Sequence, residues 1–328
     1  MYLIIKDLSV PIQILKMRAL LRRIPEKHAK HATIQDDLIK FESGYRGEQY
    51  VKYYLNFLPQ NNFYIFHDLR LSTNSHTFQI DVLLLTQKAA IILEVKNMFG
   101  TLFFERQFHQ FIRTANDKEE GFPNPLFQVQ RHRSLLKQFL TDQKAPAEFP
   151  IEYLVVISQS SSILKTTETT IDIFDKVIHA EKIPLKIESL LKRYTNTILT
   201  SRQLKKLSTS ILAHHCPPNH DILQKYEVSP AELQRGVQCP DCKSIPMQRK
   251  KGHWLCVTCG ITSKLAHKQA IIDYLLLVSP TITNQKCREF LFLSSRFAAN
   301  RFLNSMELVL RKNGRGSSYC LPESQFEK

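Results

Sequence analysis

The sequence lacks a hydrophobic run long enough to cross a membrane, and it has little glycine and little proline. Four apolar residues near the start are interrupted by Lys6 and Asp7, and no later run approaches roughly 18 apolar residues. With 9 Gly and 15 Pro in 328 residues, the composition is not that of a low-complexity protein. We therefore expect a cytoplasmic protein that has no signal peptide and no membrane partner.

Acidic residues are too few to balance the basic ones. The chain has 45 Lys+Arg against 30 Asp+Glu, a net charge of +15 and a pI near 9.5. The excess is concentrated from Arg235 onward, where 15 Lys+Arg face 6 Asp+Glu. This balance favours a polyanionic partner, nucleic acid first and an anionic membrane surface second. The length suits two or three domains.

Residues 78–96, FQIDVLLLTQKAAIILEVK, predict two β-strands joined by a short polar turn. Side chains alternate along a strand, so Phe78, Ile80 and Val82 are expected on one face and Asp81 on the other. The second strand is apolar except for the charged residues near its end. An antiparallel hairpin with a carboxylate on each strand is the predicted centre of the fold.

Asp81, Glu94 and Lys96 are the charged residues on the strands of this hairpin, outside its turn. Carboxylates are costly to bury unless they bind something, and a hard cation that also contacts phosphate is the simplest candidate. We predict that Asp81 and Glu94 bind Mg²⁺ or Mn²⁺ and that Lys96 positions the attacking water. The alternative is an exposed ion pair on a solvated face.

Glu48 precedes the hairpin on a predicted helix. Its spacing from Val51 and Leu55 places it on the apolar, inward-facing side of that helix. It is a candidate third metal ligand or water-positioning group. The alternative is a glutamate that interacts with the dipole at the start of the helix.

Four separated pieces occur in order: GYRGE ending at Glu48, QIDVLLL, EVKNMFG, and Asn124-Pro125 followed by Gln128. Together they resemble the nuclease-related domain (NERD) family, which is similar to the PD-(D/E)xK restriction-endonuclease-like superfamily. The resemblance covers roughly residues 40–160 and implies a mixed sheet flanked by helices and metal-dependent phosphodiester cleavage. The residues that match the motif are Asp81, Glu94, Lys96, Glu48 and Gln128. The tryptophan expected in the segment 101–110 is absent.

Gln128 begins the helix after the sheet, three residues before Arg131. Residues three apart share a helix face, so Gln128 and Arg131 are predicted to contact the scissile strand. The alternative is that both are ordinary polar residues of the surface. The polar segment 114–122 is predicted to be a loop. His67 and Asp68 are read as turn-forming residues at a strand end and are not assigned to the site.

Seven cysteines include two CxxC pairs, Cys239–Cys242 and Cys256–Cys259, separated by thirteen residues. This spacing predicts a closed four-thiolate site for structural Zn²⁺ rather than a disulfide framework. Lys250 and Lys251 lie between the pairs and are predicted to contact nucleic acid. Trp254 either stacks on a base or packs over the metal site.

The last segment predicts three short helices followed by a basic hairpin, which is the element order of a winged helix. By that analogy, the recognition helix carries Arg296, Asn300 and Arg301, and the wing carries Lys312 and Arg315.

These observations predict an α/β protein with five parts. They are an N-terminal helical extension (1–40), a nuclease-like domain (41–160), a helical connector (161–235), a zinc ribbon (236–262) and a winged-helix-like module (263–328). The predicted function is Mg²⁺- or Mn²⁺-dependent hydrolysis of DNA. One alternative is a non-catalytic DNA-binding or regulatory protein on the same scaffold, and another is an RNA-directed or membrane-associated basic protein.

Overall fold

A computed structural model describes residues 2–58, 63–73, 76–105, 107–167, 175–218, 221–313 and 316–322. The chain divides into two compact units, each built from two stretches of sequence. Unit 1 contains Met1–Leu8 and Ser43–Pro218, and unit 2 contains Ser9–Glu42 and Asn219–Lys328. Among the described helices, none has the length and apolarity required to span a bilayer.

The strands are numbered in chain order. Those of unit 1 are β1 (Tyr2–Lys6), β2 (Phe63–Ser72), β3 (Thr77–Leu85), β4 (Ala90–Lys96), β5 (Thr101–Phe104), β6 (Phe111–Ala115), β7 (Lys118–Phe122), β8 (Ile151–Ile157), β9 (Ile163–Thr166) and β10 (Val177–His179). Those of unit 2 are β11 (Gln248–Arg249), β12 (Trp254–Leu255), β13 (Thr262–Ser263), β14 (Ile282–Thr283), β15 (Val309–Asn313) and β16 (Gly316–Cys320).

The α-helices are numbered in the same way. They are α1 (Ile12–Arg23), α2 (His31–Leu55), α3 (Pro125–Asp142), α4 (Ile183–Lys192), α5 (Ser201–Ala213), α6 (Ile222–Tyr226), α7 (His267–Leu277), α8 (Asn284–Leu291) and α9 (Arg296–Asn304).

Unit 1 is built on a mixed sheet with the strand order β1-β2-β3-β4-β8-β10. Strand β3 pairs antiparallel with both β2 and β4, whereas β1, β8 and β10 pair parallel with β2, β4 and β8, respectively. Apolar side chains cover both faces of the sheet. One face packs against α3 and α5, and the other packs against α2 and α4. The predicted mixed sheet flanked by helices is confirmed.

The ladder between β2 and β3 is interrupted at Asp68 and Asp81. Asp68 has a φ of 47°, and the pairing skips these two aspartates although the residues on either side remain paired. Phe78 and Ile80 pack in the cluster on the α3 face, whereas Val82 packs in the cluster on the α2 face. The prediction that Val82 shares a face with Phe78 and Ile80 is wrong, because the period of two is broken at the aspartates.

A second sheet in unit 1 has the strand order β7-β6-β5-β9. The segment 114–122, predicted to be a loop, forms much of the β6–β7 hairpin instead. Asn116 and Asp117 have φ values of 51° and 58°. Two consecutive residues at positive φ between antiparallel strands are typical of a two-residue hairpin turn, for which Asn and Asp are among the best-suited residues. The charged side chains of β7 lie on the exposed surface.

Unit 2 joins α1 to α6 and α7 through a buried cluster that includes Met17, Leu20, Tyr226 and Leu276. It also contains two small sheets, with the strand orders β11-β12-β13 and β14-β16-β15. Helices α7, α8 and α9 precede the β15–β16 hairpin, in the element order expected from the sequence. The α1 helix therefore packs within the same unit as the cysteine pairs and the C-terminal elements.

Candidate active site

The β3–β4 hairpin brings Asp81 and Lys96 to the same end of the central sheet. One carboxylate oxygen of Asp81, Oδ2, accepts a hydrogen bond of 2.7 Å from the backbone N–H of Val95. Lys96 Nζ donates to Glu94 Oε1 at 2.8 Å and to Gln128 Oε1 at 3.0 Å. The ammonium group is therefore fixed between β4 and α3. Asp81, Glu94, Lys96 and Gln128 lie close together.

A histidine that sequence reasoning did not assign completes the environment of Glu94. His132 is buried on α3, and its Nδ1 lies 3.5 Å from Glu94 Oε2. Gln128 and His132 are four residues apart, so they project from the same face of α3. Arg131, which the sequence predicts to accompany Gln128, is exposed. The four-residue spacing was the signal that would have identified His132.

Glu48 lies near a second group of charges. Lys6, at the end of β1, meets Asp68, in the middle of β2. Lys6 Nζ lies 3.9 Å from Asp68 Oδ2 and donates to the His67 carbonyl at 2.9 Å. Gln79 Nε2 donates to Asp68 Oδ1 at 2.6 Å. Asp68 thus belongs to the surroundings of Glu48 and is more than a residue at a strand end. We call Glu48, Asp68, Asp81 and Glu94 the acidic centre.

Burial and mutual repulsion perturb this acidic centre. Burial, followed by the charge of Asp68, raises the pKa of Glu48 to about 8 against the opposing effect of Lys6. Burial together with Glu94 and Glu48 raises the pKa of Asp81 well above its ordinary value. Burial alone would also raise the pKa of Glu94, but His132 and Lys96 outweigh it and hold that pKa below its ordinary value. Glu94 is therefore the carboxylate that stays ionised most readily.

The donor set of the acidic centre fits a hard divalent cation. Among the described residues, Glu48 Oε2 and Glu94 Oε2 are sealed from solvent and have no hydrogen-bond partner. Asp81, Glu94 and Glu48 do not each place an oxygen within 4.8 Å of the others. Ionised carboxylates repel at short range, and Mg²⁺ is commonly held by only one or two of them with water completing its shell. Asp81 and Glu94 suffice for such a site.

The four cysteines form a separate centre in unit 2. Among the described residues, Cys239, Cys242, Cys256 and Cys259 have Sγ atoms that all lie within 4.8 Å of one another. The Sγ atoms of Cys239 and Cys259 are 3.7 Å apart, and those of Cys242 and Cys256 are 3.5 Å apart. Four thiolates about 2.3 Å from a tetrahedral ion are separated by about 3.8 Å. The cluster therefore fits a closed structural metal site.

The predicted nucleic-acid-binding side chains of unit 2 differ in their exposure. Those that lie exposed are Lys250, Lys251, Arg296, Arg301 and Lys312. Asn300 is partly buried and accepts a hydrogen bond of 2.5 Å from Asn284 Nδ2. Arg315 lies outside the described residues. Trp254 is 1% exposed, so it packs in the core and is not available to stack on a base.

Comparison with known families matches the stretch of sequence that contains the acidic centre. Residues 43–158 match the model of the nuclease-related domain, NERD. The match begins just before Glu48 and includes Asp81, Glu94, Lys96 and Gln128. Neither the curated proteins nor the solved structures contain a match to this chain.

Proposed function

We propose that the protein is a metal-dependent nuclease that hydrolyses phosphodiester bonds in DNA, because residues 43–158 match the model of the nuclease-related domain. The observation that carries the proposal is the arrangement of Lys96 between Glu94 and Gln128 beside Asp81. The lysine is held next to carboxylates whose ionised forms are costly in this environment. Such a group of side chains is suited to a phosphate substrate.

Asp81 and Glu94 hold Mg²⁺ or Mn²⁺, with Glu48 as an additional ligand or as an anchor for bound water. The ion supplies positive charge that stabilises the negative charge developing on the scissile phosphate. Lys96 holds the attacking water, because its ammonium group is already oriented by two acceptors. His132 orients Glu94 from the other side.

Unit 2 provides the affinity for DNA in this proposal. Zn²⁺ bound by the four cysteines stabilises the fold of the ribbon. Lys250, Lys251, Arg296, Arg301 and Lys312 contact phosphates, by analogy with a winged helix for the last three. Binding through such contacts weakens as salt rises. The cytoplasmic location stays a prediction from the sequence.

The proposal is tested by incubating the protein with supercoiled, linear and single-stranded DNA under a panel of divalent ions. Asp81→Asn and Lys96→Ala should each reduce Mg²⁺-dependent cleavage by at least about a hundredfold, as expected for groups that act on the transition state. Lys88→Ala is the matched control, because Lys88 lies in the turn of the same hairpin, away from Lys96.

The opposite result supports the non-catalytic alternative. Tight DNA binding without cleavage under any divalent ion, or full cleavage by Lys96→Ala, would overturn the proposed activity. If RNA competes for the protein more strongly than DNA does, then RNA is the substrate and DNA is not.

A further inference from the structure

Three aromatic side chains pack together in the core of unit 2, beside the cysteine cluster. His267 and Phe302 are stacked with their ring centres 3.8 Å apart, and Trp254 lies 6.0 Å from Phe302. Trp254 Nε1 donates to His267 Nδ1 at 3.2 Å. These contacts join the ribbon strand β12 to helices α7 and α9, so the rings form a fixed platform.

Two arginines lie against this platform. The guanidinium carbon of Arg249 is 5.3 Å from the centre of the Trp254 ring and 5.1 Å from that of Phe302. The guanidinium carbon of Arg301 is 6.0 Å from the centre of the Phe302 ring. Both cations therefore contact one aromatic side chain, the buried Phe302 of α9.

Neither arginine has an acidic partner in the part of the chain that the structure describes. Arg249 Nη1 is sealed from solvent without an acceptor, as is His267 Nε2 on the same platform. Burial and the charge of Arg301 lower the pKa of Arg249. Two neighbouring guanidinium groups without a carboxylate repel each other, so an anion between them would stabilise the arrangement.

An exposed aromatic side chain stands beside the arginines. Phe297 is 86% exposed, and it precedes Arg301 by four residues on α9. Residues four apart lie on the same helix face, so the ring and the guanidinium group are neighbours at the surface. Cationic side chains beside an exposed aromatic ring are the combination that binds single-stranded nucleic acid, with phosphate on the cations and an unstacked base on the ring.

We propose that α9 and β11 of unit 2 form a binding site for single-stranded nucleic acid, in which Arg249 and Arg301 hold a backbone phosphate and Phe297 stacks on a base. The site deepens the function proposed above by naming the form of its nucleic-acid partner. It requires nucleic-acid binding but does not require cleavage, so the two proposals can fail separately. Base-paired DNA keeps its bases inside the duplex and leaves Phe297 without a stacking partner.

The test measures binding of a fluorescein-labelled oligo(dT) and of a duplex of equal length by fluorescence anisotropy, in buffer without added Mg²⁺ or Mn²⁺. The single strand should bind more tightly than the duplex. Phe297→Ala should weaken single-strand binding about tenfold, and Phe297→Trp should retain it. Arg249→Gln and Arg301→Gln should each reduce the slope of log affinity against log salt by about 0.7.

Lys286→Gln is the matched control, because Lys286 is an exposed cation of the same unit that is paired with Glu289. Arg301 is exposed, so Arg301→Gln reports on binding even where Arg249→Gln disturbs packing. Tighter binding of the duplex, or an unchanged affinity of Phe297→Ala, would overturn the proposal. Displacement of oligo(dT) by millimolar inorganic phosphate or thymidine monophosphate would show a site for a small phosphate ligand instead. Nuclease activity is measured separately, and its presence or absence does not alter these outcomes.

Discussion

The substitution Glu48→Gln measures how much an ionised carboxylate in the acidic centre destabilises the folded protein, independently of any catalytic role. Glu48 sits on α2 with Oε2 sealed from solvent and unpartnered among the described residues. The folded protein keeps this carboxyl protonated up to a pKa of about 8, whereas its ordinary value is 4.5. Ionisation is thus disfavoured by folding, and stability falls as pH rises from about 4.5 towards 8. Glutamine retains the shape of the side chain but cannot ionise.

The magnitude follows from the size of the pKa shift. One pKa unit corresponds to 1.36 kcal/mol, so the penalty reaches about 3 kcal/mol at pH 7 and about 5 kcal/mol above pH 8, as orders of magnitude. Glu48→Gln should raise the unfolding free energy of the metal-free protein by up to these amounts. For a domain of this size, each kcal/mol moves the melting temperature by roughly 2–4 °C.

The assay is thermal unfolding of the two proteins from pH 5 to pH 9, without and with Mg²⁺. The variant should melt several degrees higher than the wild type at pH 8 and only slightly higher at pH 5. Mg²⁺ should stabilise the wild type more than the variant, because a bound cation compensates ionised Glu48. Glu188→Gln, an exposed glutamate on α4, is the control and should have little effect. A variant that melts lower than the wild type at every pH would refute the reasoning.

Three further predictions concern the two centres. His132→Ala should lower the affinity for Mn²⁺ by about 10- to 100-fold, measured by calorimetry, because Glu94 loses the group that orients it; equal affinities would remove His132 from the site. Gln128→Ala should reduce kcat less than Lys96→Ala does, since it frees the lysine without removing its charge, and the reverse order in steady-state kinetics would contradict the assigned roles. Cys256→Ala should abolish stoichiometric zinc, measured by atomic emission, and lower the melting temperature of unit 2; retained zinc would exclude this cysteine as a ligand.

The sequence predicted the proximity of those candidate site residues that follow the period of a regular strand. Glu94 and Lys96 lie two residues apart on β4 and therefore share a face, and Asp81 on the adjoining strand follows from hairpin pairing. The position of Asp68 did not follow, because its φ of 47° breaks the alternation on which the reasoning depended. His132 was not predicted, because the residue three positions after Gln128 was considered and the residue four positions after it was not.

The division of the chain into two units was harder to predict from the sequence than the candidate site was. Periodicity shows that α1 has an apolar face but does not show which distant residues cover it. Arg23 on α1 bonds to Asp273 at 2.7 Å with both side chains fully buried, across 250 positions of sequence. The four cysteines were predictable because their short spacing defines their geometry locally.

The buried Arg23–Asp273 pair has a consequence for how the protein is made on the ribosome. Residues 9–42 are translated before residues 43–158, which match the nuclease-related domain model, whereas their packing partners at residues 219–328 follow that segment. Until then, the apolar side of α1, with Met17 and Leu20, stays uncovered and needs protection from aggregation. A premature stop after residue 235 would leave Arg23 without its carboxylate, so it should destabilise residues 9–42 as well as remove the cysteine pairs and the elements that follow them.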